Sequence, residues 1–265
     1  MRSALRVAFR LSRVGLHLAW AVGVAAFAYP LIGHEARLRL KQRWSRQLLV
    51  LLGIRLEAAR PAPPRGLLVA NHISWLDIYV INALSPAAFV CKAEVRAWPI
   101  IGWLCARTDT VFIERGSSSA ARRANEALAA RLAGGVAVVF PEGTTSDGAR
   151  LLPFRSALLQ AAIDSGSIVQ PLALSYLDAS GRRTPVAAYC GDTTLWQSLR
   201  VIAGARGLSV RVEILPPLAT QERTRRELAE AAHGHIGAVL ARLTFADSPG
   251  CADEQPAADA APACP

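Results

Sequence analysis

Two kinds of pattern run along this chain. Residues 14–34 carry no acidic residue, Lys or Arg, and in 35–52 (EARLRLKQRWSRQLLVLL) basic and apolar positions interleave as on an amphipathic helix. After Arg60-Pro-Ala-Pro-Pro-Arg65, a stiff linker, short apolar runs alternate with helical stretches. Strands are expected at 66–70, 88–92, 110–113, 136–140, 168–176, 185–189 and 208–215. Helices are expected at 75–84, with Ser74 as N-cap, and at 119–132, 156–165, 195–203 and 221–243; 98–107 reads as a short apolar helix or loop. Alternation of this kind predicts an α/β fold, a layered mixed, largely parallel sheet with helices on its faces. Residues 1–58 form N-terminal helices, 65–245 the main domain, and the Ala/Pro/Asp-rich 246–265 a tail expected to be disordered.

Composition sharpens the picture of the N-terminus. Hydrophobic residues make up 52% of the chain, mean hydropathy is +0.27 and formal charge is +10. The last 19 residues hold four acidic side chains and no Lys or Arg, so without them +10 becomes +14. So basic a body implies an anionic partner. With no zinc-finger or RNP-like pattern, and with arginines flanking an apolar run, that partner is a membrane surface and not nucleic acid. A helix of about 20 residues spans a hydrocarbon core, and Pro30 would bend or end it.

Three readings of the N-terminal run compete. Ala26-Phe27-Ala28 after an Arg-rich start fits a cleaved signal peptide. A single span is the second, although basic residues on both flanks then give no orientation. A helical hairpin dipping into one leaflet, with 35–52 as its return helix, suits equal charge on both sides best. Basic side chains near anionic lipid contribute about 1 kcal/mol each. The five cysteines show no C-x-x-C spacing, and no zinc site is expected.

Candidate chemistry centres on GLLVANHISWLD at 66–77. His72 ends an apolar strand and Asp77 follows five residues on: a general base with the carboxylate that orients its ring. That spacing arises easily by chance; its place at a strand end, where open sheets carry sites, gives it weight. No G-x-S-x-G elbow or suitable cysteine accompanies it, so the nucleophile is the substrate's own hydroxyl. FPEGTTS at 140–146 puts main-chain N–H groups after a buried strand, a place for an anion, and Glu142 there needs a partner or a task. Arg115 in VFIERG and Lys92 at another strand end read either as surface charges or as clamps on phosphate or carboxylate.

NHISWLD (71–77), VFIERG (111–116), FPEGTTS (140–146) and IVQPLAL (168–174), in this order within 65–216, resemble the four blocks of the glycerophospholipid acyltransferase family. The resemblance implies that His72, oriented by Asp77, deprotonates the hydroxyl of a lysolipid. That oxygen then attacks the thioester of acyl-CoA or acyl-carrier protein. It further implies that Asn71, Lys92, Arg115, Glu142, Gly143 and Thr144 bind the acceptor and that Pro171 shapes the site from behind. No metal or cofactor is implied, and the expected location is the cytoplasmic face of the cell inner membrane. Two positions depart from the family pattern. Thr145 stands where the family commonly has the arginine associated with phosphate, and Glu114 where Asp is frequent. Lysophosphatidate is the first acceptor the resemblance implies, although Thr145 brings no charge for its phosphate. Lyso-ornithine lipid, with carboxylate and amine in place of phosphate, is the alternative, and a non-catalytic lipid-binding protein is the reading from another class.

Overall fold

The computed structural model describes residues 2–59, 65–113 and 118–243. Helices α1 (Arg2–Gly23) and α2 (His34–Leu52) are joined by a π turn at Val24–Ala28 and a 3-10 turn at Tyr29–Leu31 containing Pro30. Then come β1 (Arg55–Ala58), β2 (Gly66–Ala70), α3 (Asp77–Leu84), β3 (Ala88–Lys92), α4 (Ile101–Arg107) and β4 (Val111–Ile113). After α5 (Ser118–Leu132) follow β5 (Val136–Val139), α6 (Gln160–Asp164), β6 (Val169–Leu177), α7 (Leu195–Gly204), β7 (Ser209–Ile214) and α8 (Arg225–Leu240).

One seven-stranded sheet, ordered β1-β7-β6-β2-β5-β3-β4, forms the frame. All its neighbours pair parallel except β6 with β7. β2 lies inside, flanked by β5 and β6, and every residue of it is buried, which is why it reads as an unbroken apolar run. Successive side chains go to opposite faces. Leu68, Val138 and Leu174 meet Leu49, Ile81 and Ile202 from α2, α3 and α7 on one side. Leu67, Val69 and Ala137 meet Leu128, Ala161 and Leu228 from α5, α6 and α8 on the other.

Several expectations change. β1 lies in the stretch read as N-terminal helices, and it pairs with β7 from Arg55 to Ala58, so the sheet starts before the linker. Residues 185–189 are not a strand. Pro185 has no N–H to give a ladder, and Thr184 Oγ1 accepts from Val186 N–H, winding Pro185–Ala187 into a 3-10 turn. The last helix starts at Arg225 because Thr224 and Glu227 form a capping box there. Ser74 does not cap α3; the helix begins at Asp77, itself in its first turn. Residues 246–265 lie outside the described residues.

The hairpin is built onto the domain by its own basic residues. Arg6 and Arg10 donate to the carbonyls of Gly204, Ala203 and Ala205 at the end of α7, where unpaired carbonyls collect. Lys41 is buried and donates to Ala87 and Thr108, and Arg46 donates to Ala83. Counting every flanking cation as lipid-facing therefore overstates the charge offered to a membrane. His17 and Trp44 lock α1 to α2: each bonds the other's main-chain carbonyl, with rings stacked at 4.8 Å. What α1 and the turn after it leave outside includes six large apolar side chains, Leu5, Phe9, Leu16, Trp20, Phe27 and Leu31, along with Arg13.

Candidate active site

Parallel pairing puts the C-terminal ends of β2 and β5 side by side, Val69 opposite Val139. The residues that follow these two strands make the site. Asn71 extends β2 by one rung: its carboxamide accepts from Leu174 N–H at 2.8 Å and donates to Leu174 C=O at 3.0 Å. Asn71 is buried, so the structure puts it in the framework between β2 and β6 instead of facing an acceptor.

His72 comes next. Its Nδ1 lies 2.9 Å from Asp77 Oδ2, and its side chain is 18% exposed against 0% for Asp77. A carboxylate only accepts, so the shared proton belongs to Nδ1 and Nε2 is left as the open base. Phe140 stacks on the ring at 3.9 Å. Asp77 does more than orient. Oδ2 also accepts from the N–H groups of Ile73 at 2.7 Å and Ser74 at 2.9 Å, and Oδ1 accepts from Tyr176 Oη at 2.7 Å. The α3 N-terminus adds its partial positive charge. One carboxylate thus shapes the 72–74 turn and holds the imidazole.

Tyr176 was not anticipated from the sequence, although a signal existed. A tyrosine in the aliphatic strand IVQPLALSYL, once buried, needs a partner for its hydroxyl. Burial, with Asp77 beside it, raises the Tyr176 phenol well above its ordinary range, so it stays a donor.

Glu142 holds the histidine's main chain. Oε1 accepts from His72 N–H at 2.6 Å and Oε2 from Leu152 N–H at 3.0 Å. With both oxygens so used and the side chain buried, it positions His72 and does not face an acceptor. Burial pushes its carboxyl from 4.5 up to about 7, against the two N–H donors that pull it down. Between those values the folded protein holds this proton more tightly than the unfolded chain does. The stability it contributes is full below pH 4.5 and is lost as pH rises through 7. Glu142→Gln, which cannot ionise, should flatten that part of the profile. The wild type is expected to lose on the order of 2–3 kcal/mol relative to the variant between pH 4.5 and 8, read from denaturant titrations in detergent. Parallel profiles would refute the assignment.

Around the turn 140–146, Gly143 sits at φ 72°, a conformation side chains resist, and Thr144 is exposed. Ser146 N–H donates to His72 C=O at 3.0 Å. The Thr145 hydroxyl donates to Tyr189 C=O and so faces the protein. Pro171 is buried in β6 opposite Val69. Lys92 is exposed at the end of β3, two strands from β2, roughly 10 Å at ordinary strand spacing. Arg115 lies outside the described residues. The arrangement can take a proton through His72 Nε2 from a group approaching the C-terminal edge of the sheet.

Known proteins share this architecture. A model of the acyltransferase family matches residues 54–175. A lyso-ornithine lipid O-acyltransferase of Pseudomonas aeruginosa is 39% identical over 245 residues, covering 89% of this chain and 94% of that protein. A 1-acyl-sn-glycerol-3-phosphate acyltransferase of Neisseria meningitidis serogroup B is also 39% identical, over 215 residues, 78% of this chain and 83% of that protein. The crystal structure of the 1-acyl-sn-glycerophosphate acyltransferase of Thermotoga maritima aligns with a TM-score of 0.67 at 22% identity, covering 91% of this chain and 95% of that one. That likeness shows the fold.

Proposed function

The chain belongs to the acyltransferase family, and we propose that it esterifies the free hydroxyl of a lysolipid, with 1-acyl-sn-glycerol-3-phosphate first among acceptors. The observation that carries this reading is the His72–Asp77 pair at 2.9 Å, with one imidazole nitrogen left open at the sheet edge. His72 Nε2 takes the hydroxyl proton as the oxygen attacks the thioester carbon of acyl-CoA or acyl-carrier protein. The C–O bond forms, the C–S bond breaks, and the proton passes from His72 to the departing sulfur. Asp77 steadies the imidazolium between these steps, and Tyr176 and Glu142 keep the pair in place. Gly143, Thr144, Lys92 and Arg115 serve the acceptor's head group. Written so, the reaction calls on no metal or cofactor.

The acceptor reaches the site from a membrane. Ser3–Leu31 is long and apolar enough to cross one, and only 17% of its most apolar window is buried. Its join to α2 as a hairpin favours insertion in one leaflet, with the domain on the cytoplasmic face of the inner membrane. A second acceptor, lyso-ornithine lipid, is favoured by Thr145, which brings no charge to the turn. Membranes containing the protein, given an acyl thioester and either lysolipid, should yield the corresponding diacyl product by mass spectrometry. Intact protein that makes neither would overturn the reading.

A further inference from the structure

The turn 140–146 touches His72 at two points yet contains no basic residue of its own. A cation reaches it from farther along the chain. Arg155 N–H donates to Pro141 C=O at 2.8 Å, fixing residue 155 beside the turn. Its side chain then lies over Gly143: a Cβ built there would sit 3.5 Å from Arg155 Nε and 3.8 Å from Cζ. Arg155 is exposed, and among the described residues its guanidinium has no hydrogen bond or ion pair. Arginines in this chain that serve the fold look different. Arg183 is buried and donates to the carbonyls of Leu240 and Ala149.

An unengaged guanidinium offers a planar fork of donors that matches an oxyanion. It stands against the segment that holds the general base, the region a lysolipid must approach to present its hydroxyl. We infer that the Arg155 guanidinium, set against the turn at Gly143, forms a subsite for the anionic head group of the acceptor, a phosphate monoester or a carboxylate. The subsite rests on the acyl-transfer reading. It also puts the acceptor's charge on a residue outside all four segments that carry the family resemblance.

The test compares wild type with Arg155→Gln, Arg155→Lys and, as a surface control, Arg226→Gln on α8. Arg155→Gln is expected to raise KM for lysophosphatidate or lyso-ornithine lipid about 10- to 100-fold, the loss of a charge-assisted pair. Its kcat and its KM for the acyl donor should stay within about threefold of wild type, Arg155→Lys should recover part of the loss, and the control should change nothing. Whichever lysolipid shows the larger change identifies phosphate or carboxylate as the subsite's ligand. An unchanged acceptor KM, or a rise confined to the donor, would overturn the subsite. If the wild type acylates neither lysolipid, the reaction is at fault, and equilibrium binding then judges the subsite alone. Titration by tryptophan fluorescence should show wild type preferring lysophosphatidate over uncharged monoacylglycerol and Arg155→Gln losing that preference; equal preference in both proteins would overturn the subsite.

Discussion

His72→Ala is expected to lower turnover about 10²- to 10⁴-fold, the usual contribution of a positioned general base. The ring's other nitrogen is held by Asp77 at 2.9 Å, and in the proposed mechanism removing the ring deletes the proton acceptor, Nε2. The main-chain bonds of residue 72 to Glu142 and Ser146 remain, and the fold should therefore stay close to wild type. Phe140 loses its stacking partner, which removes about 0.5–1.5 kcal/mol. Single-turnover rates with a saturating thioester, alongside a thermal melt, separate the two effects. A variant that forms product at the wild-type rate would remove His72 from the mechanism.

Asp77 should show a different signature, because its carboxylate serves fold and chemistry together. Asp77→Asn puts an N–H₂ where an acceptor is required, facing His72 Nδ1, two main-chain N–H groups and the Tyr176 hydroxyl. The imidazole loses its fixed tautomer, and the rate is expected to fall by about 10²- to 10⁴-fold, as when the acid of a catalytic triad is neutralised. Stability should fall as well, by about 1–3 kcal/mol for each buried donor left without an acceptor. Tyr176→Phe separates the roles. It deletes one hydrogen bond to the carboxylate, costing about 1.5–3 kcal/mol, yet leaves His72 paired, so most of the activity should survive. Asp77→Asn with full activity, or Tyr176→Phe as inactive as Asp77→Asn, would contradict this division.

The other large consequence lies in the N-terminal hairpin. Its arginines look interchangeable in sequence, but the fold sorts them. Arg6 and Arg10 close the end of α7, and Lys41 and Arg46 bind carbonyls around α3 and β3. The hairpin is therefore docked on the sheet through backbone acceptors, not simply tethered to it. That docking holds its exposed apolar side chains in one orientation relative to His72.

Most of the sheet was legible from pattern alone. β2, β5 and β6 are largely apolar runs, and burial on both faces of the sheet accounts for them. β1 was not, because four residues reading RLEA are an edge strand with exposed ends and no run to mark it. Residues 185–189 misled for the opposite reason: an apolar stretch whose Pro185 removes the donor a strand needs.

The His72–Asp77 pair is likewise a local fact, five residues apart, with Asp77 bonding Ile73 and Ser74 in the same turn. Chain chemistry by itself therefore determined the α/β class, the apolar N-terminal run and the pairing of His72 with Asp77. Tertiary structure decided the rest. Glu142, Tyr176 and Leu174 lie 70, 99 and 103 residues from the groups they bond, and only the register of parallel strands sets them beside β2. For the same reason Asn71 and Glu142, polar residues at strand ends that suit a substrate equally well in sequence, turn out to hold the site together. Arg155 is exposed beside that site, and among the described residues no carboxylate pairs with it. Strand pairing is a long-range choice, and no pattern within a dozen residues can state it.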